Sequence, residues 1–191
     1  MRKHFKYIFL VLLLGLGVSS CDEYLDINDD PNRLTEVSLA SLTPTIQLYL
    51  ADAQYNVSYT AAQATQQTGS YFGYFEDFTL GGAWTILYLR AMSNANILAT
   101  QAAAEGADHY QGIALAMQAF GLAMITDTWE DAPWSQAFKG SEVLQPTYEA
   151  QSELYKTITS LLDQAETLLN STVDCETAGN CIKPASDLIY G

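Results

Sequence analysis

The amino-acid sequence predicts an all-α protein built from helical hairpins. Four segments of the 191-residue chain carry apolar side chains every three or four residues, the spacing of a helix with one buried face. No stretch alternates apolar and polar residues for long enough to predict a strand. Apolar residues make up 49% of the chain, which is enough to build a sizeable core.

The first predicted helix begins at Thr43 and Pro44, a capping residue followed by a proline at the first helical position. It is predicted to end before Gly69. Its apolar stripe comprises Ile46, Leu50, Ala53, Val57, Ala61 and Ala64. This stripe predicts the face that packs against the rest of the chain.

The next two predicted helices, Trp84–Gln101 and His109–Ile125, form a helical hairpin. Gly106 ends the first, and Asp108 with Gln111 is a capping-box-like start for the second. The predicted stripes are Trp84, Leu87, Tyr88, Ala91, Ala95, Leu98 and Ala102 in the first helix, and Ile113, Ala116, Met117, Phe120 and Met124 in the second. Their large and small residues are spaced as in tetratricopeptide repeats, although a generic helical hairpin explains them about as well.

A fourth helix is predicted to begin at Pro146 and Thr147. Its stripe comprises Leu154, Tyr155, Ile158, Leu161, Leu162, Ala165, Leu168 and Leu169. In the loop before this helix, Trp129 and Trp134 flank a proline turn and are predicted to hold that loop in place. Trp84 and Tyr88, in contrast, are predicted to lie in the core because they fall on a regular stripe.

The charge distribution excludes two classes of partner. Beyond residue 20 the chain has 5 basic and 22 acidic residues, a formal charge of −17. Such a chain repels the phosphate backbone of nucleic acids. It also repels anionic lipid headgroups. The excess of acid favours neutral or basic ligands over polyanionic ones.

The N-terminus has the form of a bacterial lipoprotein signal. The basic segment Met1–Lys6 precedes twelve uncharged residues, Tyr7–Val18, a run shorter than the ~20 residues of a membrane span. Val18-Ser19-Ser20-Cys21 then matches a lipobox. We therefore predict a signal peptide over residues 1–20, lipid attachment at Cys21 and an extended lipidated segment over 21–42. An ordinary signal peptide with a chance cysteine is the alternative.

The remaining cysteines, Cys175 and Cys181, enclose five residues and can close a small disulfide loop outside the cytoplasm. We expect no metal and no cofactor. His4 and His109 are the only histidines. A calcium loop starting at Asp26 would have Pro31 at its required glycine and Val37 at its required glutamate.

The loop Tyr71–Phe78 is the best ligand-binding candidate in the sequence. Aromatic rings stack on the C–H faces of sugars, and neighbouring carboxylates accept hydrogen bonds from the hydroxyls. The candidate residues are Tyr71, Phe72, Tyr74, Phe75 and Asp77. The alternatives are that these rings belong to the core or to an interface with a protein partner.

The sequence contains no pattern that predicts an enzyme. The pairs Glu76-Asp77 and Glu130-Asp131 could supply two carboxylates, but nothing places them on opposite sides of a bond. A nucleophile elbow, a P-loop, a zinc-protease motif and a dinucleotide fingerprint are all absent.

Four motifs, in this order, resemble the SusD/RagB family of outer-membrane lipoproteins, in particular its SusD-like subgroup. They are Asp22-Glu23-Tyr24-Leu25-Asp26-Ile27-Asn28 with Asp30-Pro31-Asn32, Trp84-x3-Tyr88 with Asn94-x-Asn96-Ile97-Leu98, Thr126-Asp127 with Trp129-Glu130-Asp131-Ala132-Pro133-Trp134-Ser135-Gln136-Ala137, and Pro146-x-Tyr148-x-x-Gln151-x-x-x-Tyr155. The sequence departs from the family at Glu130, which stands at a turn glycine. Because glutamate adopts positive φ less readily than glycine, the turn is expected to differ.

The resemblance implies a helical, tetratricopeptide-like scaffold of which residues 43–191 are the N-terminal part. It also implies a lipid-anchored, surface-exposed protein of the outer membrane. Such a protein binds neutral oligosaccharides or peptides and delivers them to a SusC-like TonB-dependent transporter. The alternative hypothesis is a structural or assembly lipoprotein whose helical repeats bind a protein partner.

Overall fold

The structure, a computed structural model, describes residues 37–69, 80–172, 181–182 and 187–189. Its elements are α1 (Leu39–Ala64), α2 (Gly81–Thr85), a π-helix (Ile86–Met92), α3 (Ser93–Glu105), α4 (Asp108–Trp129), a 3₁₀ turn (Gly140–Glu142) and α5 (Gln151–Leu169). Within these ranges there is no strand, and one isolated antiparallel bridge joins Ala132 and Glu149. The predicted all-α class is confirmed. None of the described helices is long and apolar enough to cross a membrane.

A helical hairpin forms the centre of the fold. Helix α2, the π-helix and α3 run without a break to Gly106, which ends the run at φ 67°. Helix α4 then returns along α3, and α5 packs on α4. Helix α1 contacts the π-helix, α3 and α4, so it covers one side of the hairpin.

The first helix begins earlier than the sequence predicts. Ser38 is the N-cap of α1, and its hydroxyl accepts a hydrogen bond from the backbone N–H of Ser41. Residues 39–42 are therefore helical rather than extended. Pro44 lies inside the first two turns instead of at the first position. Thr43 and Pro44 look like a helix start, but the serine five residues earlier takes the capping role.

Two other helix starts also differ from the prediction. Asp108 is the first residue of α4 rather than its cap, and Ala107 at the cap position makes no side-chain bond. Helix α5 begins at Gln151, several residues after Pro146. The cap of α5 is the carboxylate of Asp131, whose Oδ1 accepts from the N–H of Gln151 at 3.0 Å. A cap from twenty residues away cannot be identified from the local sequence.

The stripe from Trp84 to Ala102 is confirmed. Trp84 is partly buried against the core, and the other six residues of the stripe are buried. Met92, which the stripe omits, is fully buried as well. In the π-helix two adjacent pairs are buried, Leu87 with Tyr88 and Ala91 with Met92. The buried face of the π-helix is therefore broader than the predicted stripe.

The stripe predicted for α4 is largely wrong. Of its five members only Met124 is buried, and Phe120 is 50% exposed. Helix α4 instead buries the side chains that face α1, α3 and α5, among them Tyr110, Ala114, Leu122 and Ile125. A helix that packs against three others is apolar around most of its circumference, so its periodicity does not identify the buried face.

The misassigned residues of α4 line an apolar groove against α1. The groove has a volume of about 720 Å³ and is lined by Gln47, Leu50, Ala51, Gln54, Ile113, Ala116, Met117, Phe120, Asp187 and Ile189. The side chain of Gln47 holds the segment 187–189 at this groove. Its amide donates to Oδ1 of Asp187 at 3.0 Å and its carbonyl oxygen accepts from the N–H of Leu188 at 2.9 Å.

Members of two other predicted stripes are also exposed. In α1, Ala61 and Ala64 face solvent while Thr60 and Gln63 are buried. In α5 the buried residues are Leu154, Ile158, Leu161 and Ala165, whereas Tyr155, Leu162 and Leu169 are between 41% and 48% exposed. Each stripe is thus narrower in the structure than in the sequence pattern.

Gly121 allows α4 to approach the π-helix closely. A Cβ at this position would lie 2.3 Å from Sδ of Met92 and 3.3 Å from Cδ2 of Leu50. Both of these neighbours are buried. We expect Gly121→Ala to lower the free energy of unfolding by about 1–3 kcal/mol, the usual cost of overpacking a core, measured by urea denaturation.

The matched control is Gly82→Ala, because a Cβ at Gly82 would meet nothing within 4 Å. This variant should unfold at the urea concentration of the original chain or above it, since alanine favours helices. Equal stability of the two alanine variants would contradict the close packing at Gly121.

Candidate functional site

All but one of the site residues predicted from the sequence lie outside the described ranges. These are Cys21, the loop residues Tyr71, Phe72, Tyr74, Phe75 and Asp77, and Cys175. Cys181 is described and is disulfide-bonded. Its pairing with Cys175 stays a prediction. The described residues contain no group of three or more metal-ligating side chains.

An aromatic cleft lies where the loop after α4 crosses the start of the hairpin. Its volume is about 580 Å³, and it is lined by Trp84, Tyr88, Leu89, Ser93, Pro133, Gln136, Ala137, Phe138, Lys139, Gly140, Val143, Pro146 and Tyr148. One wall comes from α2 and the π-helix, and the other from residues 133–148. We call this site the aromatic cleft.

The rings of the aromatic cleft pack against one another. The ring of Trp84 lies 4.6 Å from Tyr88 and 6.5 Å from Tyr148, nearly parallel to the latter at 15°. Phe138 stacks on Tyr88 at 6.1 Å. The exposed fraction of Tyr148 is 64%, so its ring is available to a ligand. The four rings form one packed group in which Tyr148 is exposed, Trp84 and Phe138 are half-buried and Tyr88 is buried.

Two tryptophans support this surface from behind, as predicted for the loop. Trp129 meets Trp84 edge-on, with centroids 5.0 Å apart at 89°. Trp134 meets Phe138 at 6.1 Å and 80°. Both are partly buried against the core. Edge-to-face packing of this kind stabilises ring positions beyond the burial of area alone.

Tyr88 connects the two walls. Its hydroxyl donates to the carbonyl oxygen of Pro133 at 2.8 Å. Burial raises the pKa of this hydroxyl above its ordinary value, with further contributions from Tyr148 and Glu149. The phenol therefore stays neutral, and remains a donor, to a higher pH than an exposed tyrosine does.

The loop that forms the second wall is held by backbone pairing between two segments. Ala132 donates to the carbonyl of Glu149 at 3.1 Å, and Glu149 donates to the carbonyl of Ala132 at 3.0 Å. We call this pairing, with its flanking side-chain bonds, the clasp. It brings together the two motifs around residues 126–137 and 146–155, which the sequence separates.

Side chains of the clasp form four further hydrogen bonds, three of them to backbone groups. The carboxylate of Glu149 accepts from the N–H groups of Trp134 and Ser135, the latter at 2.6 Å. The side-chain amide of Gln151 donates to the carbonyl of Thr126 at 2.8 Å. The hydroxyl of Tyr155 donates to Asp127, and this bond raises the pKa of the phenol.

Glu130 adopts φ 65° and ψ −103° at the end of α4. Glu130 stands where the motif described above has a turn glycine, and it takes a positive φ, which glycine adopts more readily. The hydroxyl of Thr126 donates to the carbonyl of Glu130 at 2.7 Å and helps to hold this turn. Such a conformation costs about 1–3 kcal/mol for a residue with a Cβ.

The sequence identified some parts of this site and missed others. Trp84 and Tyr88 were recognised as a helical stripe, and Tyr148 as part of a motif. Phe138 and Lys139 belong to no stripe or motif that the sequence analysis identified. The clasp could not be predicted from either motif alone, because Ala132 in one motif pairs with Glu149 in the other.

We expect Glu130→Gly to raise the free energy of unfolding by about 1 kcal/mol, because glycine adopts this backbone conformation without strain. Chemical denaturation measures the change. Glu130→Ala is the matched control, since it removes the carboxylate but keeps the Cβ. If Glu130→Ala stabilises the chain as much as Glu130→Gly, the backbone explanation is wrong.

Comparisons with known proteins agree with this architecture. Residues 31–191 match the model of the SusD-like family that is described as "Starch-binding associating with outer membrane". Among solved structures, the chain is similar to a SusD/RagB family protein from Bacteroides thetaiotaomicron, with 23% sequence identity and a TM-score of 0.53. The match covers 71% of this chain and 31% of that chain, so this chain spans less than a third of its solved relative. A comparison with curated proteins finds no match. With the family model matching most of its length, the chain belongs to the SusD/RagB family, in its SusD-like group.

Proposed function

We propose that the protein binds nutrient oligosaccharides in the aromatic cleft at the outer membrane. The observation that carries this proposal is a set of packed rings in the aromatic cleft, in which Tyr148 is exposed, Trp84 and Phe138 are half-buried and Tyr88 is buried. The family description, which names starch binding and the outer membrane, supports it.

The aromatic cleft has the chemistry that sugars require. Pyranose rings present apolar C–H faces to aromatic side chains, and their hydroxyls take hydrogen bonds at the edges. Ser93, Gln136 and Lys139 provide polar groups around the rings. The backing by Trp129 and Trp134 keeps the rings in place before a ligand arrives. A pre-ordered surface loses less conformational entropy on binding.

We propose binding without a chemical reaction. Two carboxylates near the aromatic cleft already hold the fold, since Asp131 caps α5 and Glu149 accepts two backbone N–H groups. Carboxylates that accept backbone hydrogen bonds in this way are poorly suited to act as the acid and base of a glycosidase, which need to flank the scissile bond.

The location and the partner belong to the same proposal. The lipobox at Cys21 supports a lipid anchor in the outer membrane, because acyl chains hold a protein there without a spanning helix. The family resemblance supports delivery of the ligand to a SusC-like TonB-dependent transporter. The loop of Tyr71, Phe72, Tyr74, Phe75 and Asp77 precedes α2, which carries Trp84, and we propose that it contributes to ligand binding.

We expect Tyr148→Ala to weaken binding of the full chain to soluble starch about five-fold or more, because a stacking ring is worth about 1 kcal/mol or more. Affinity electrophoresis measures the binding. Tyr55→Ala is the matched control, since Tyr55 is 65% exposed on α1 and does not line the aromatic cleft.

Equal retention of the two variants would place the ligand elsewhere. If the original chain binds neither starch nor a panel of other glycans, the proposal fails. Binding to peptides alone, or to a membrane protein alone in a detergent pulldown, would favour the peptide-binding or the assembly hypothesis.

We expect Cys21→Ser to abolish incorporation of a palmitate label and to release the protein from the membrane fraction, because serine has no thiol to accept the lipid. Labelling in a bacterial host followed by fractionation measures both. Cys181→Ser is the control and should retain the label. Continued labelling of the Cys21→Ser chain would contradict lipid attachment at Cys21.

A further inference from the structure

The charge of the aromatic cleft differs from that of the whole chain. The chain as a whole has a formal charge of −14. Of the residues that line the aromatic cleft, Lys139 alone is charged, and it lies on the exposed turn between Phe138 and Gly140. No carboxylate lines this site in the part of the chain that the structure describes.

The ammonium of Lys139 is available to a ligand. Between described residues, the one ion pair joins Lys156 to Glu153 at 2.7 Å. The nearest acidic residue along the loop is Glu142, and neither it nor Asp131, Glu130 or Glu149 forms an ion pair with Lys139. The carboxylate of Glu149 is held by the N–H groups of Trp134 and Ser135.

On these grounds, and resting on the proposed function, we infer that Lys139 makes the aromatic cleft selective for glycans that carry an anionic substituent over neutral glycans of the same backbone. The rings Phe138 and Tyr148 take the apolar face of a sugar, and the ammonium of Lys139 meets a carboxylate or sulfate at its edge. Specificity then comes from one charge beside an apolar surface.

The negative charge of the rest of the chain does not prevent this. At an ionic strength of about 0.15 M the Debye length is about 8 Å, so carboxylates on distant faces are largely screened. A direct contact with Lys139 is screened less. Because the ammonium is exposed, the preference is expected to be about two- to five-fold, the range of exposed ion pairs.

The test compares two α-1,4-linked gluco-oligosaccharides of equal length, one neutral and one oxidised to the carboxylate at C6. Calorimetry at 0.15 M salt measures the binding of each to the full chain. We expect the oxidised oligosaccharide to bind about two- to five-fold more tightly. Lys139→Gln should remove this preference, so that the two oligosaccharides bind the variant about equally well.

Lys156→Gln is the matched control, because Lys156 is already paired with Glu153 and does not line the aromatic cleft. It should keep the preference. Equal or tighter binding of the neutral oligosaccharide, or a preference that survives Lys139→Gln, overturns the inference while leaving the proposed function intact. Binding of neither oligosaccharide by the original chain argues against the proposed function itself and removes the basis of the inference.

Discussion

The pairing of Ala132 with Glu149 is the interaction on which the rest of the site depends. Two backbone hydrogen bonds join segments that are otherwise irregular, and the carboxylate of Glu149 satisfies two further N–H groups. Asp131 in the same loop caps α5. A buried or half-buried loop keeps its shape only when its backbone groups have partners. The clasp provides those partners, and it also sets where α5 begins.

The position of the aromatic cleft follows from the clasp. Tyr148 reaches the ring of Trp84 because the next residue, Glu149, is paired with Ala132. On the other wall, the hydroxyl of Tyr88 holds Pro133. Tyr88 is therefore held by its hydrogen bond, and Trp84 and Phe138 are held by the edge-on contacts of Trp129 and Trp134. Such an arrangement leaves an apolar surface exposed without loosening it, which suits the binding of sugars.

Helix α4 contributes to three different parts of the structure. It contacts α1, α3 and α5, and it ends in the turn at Glu130 that leads into the clasp. Its remaining apolar side chains, including Met117 and Phe120, line the groove against α1. The same helix thus contributes to the core, to a surface groove and to the support of the aromatic cleft. Its low amphipathicity is a consequence of these three roles.

The sequence by itself determined the all-α class, the hairpin that turns at Gly106 and the buried stripe from Trp84 to Ala102, because these features depend on local propensity and on the period of one helix. It also identified the two motifs of the clasp, but as separate patterns. Tertiary structure decided the start of α5, the buried face of α4 and the meeting of Trp84 with Tyr148. Each of these depends on a partner distant in the chain, such as Asp131 for Gln151, and no local pattern encodes such a partner.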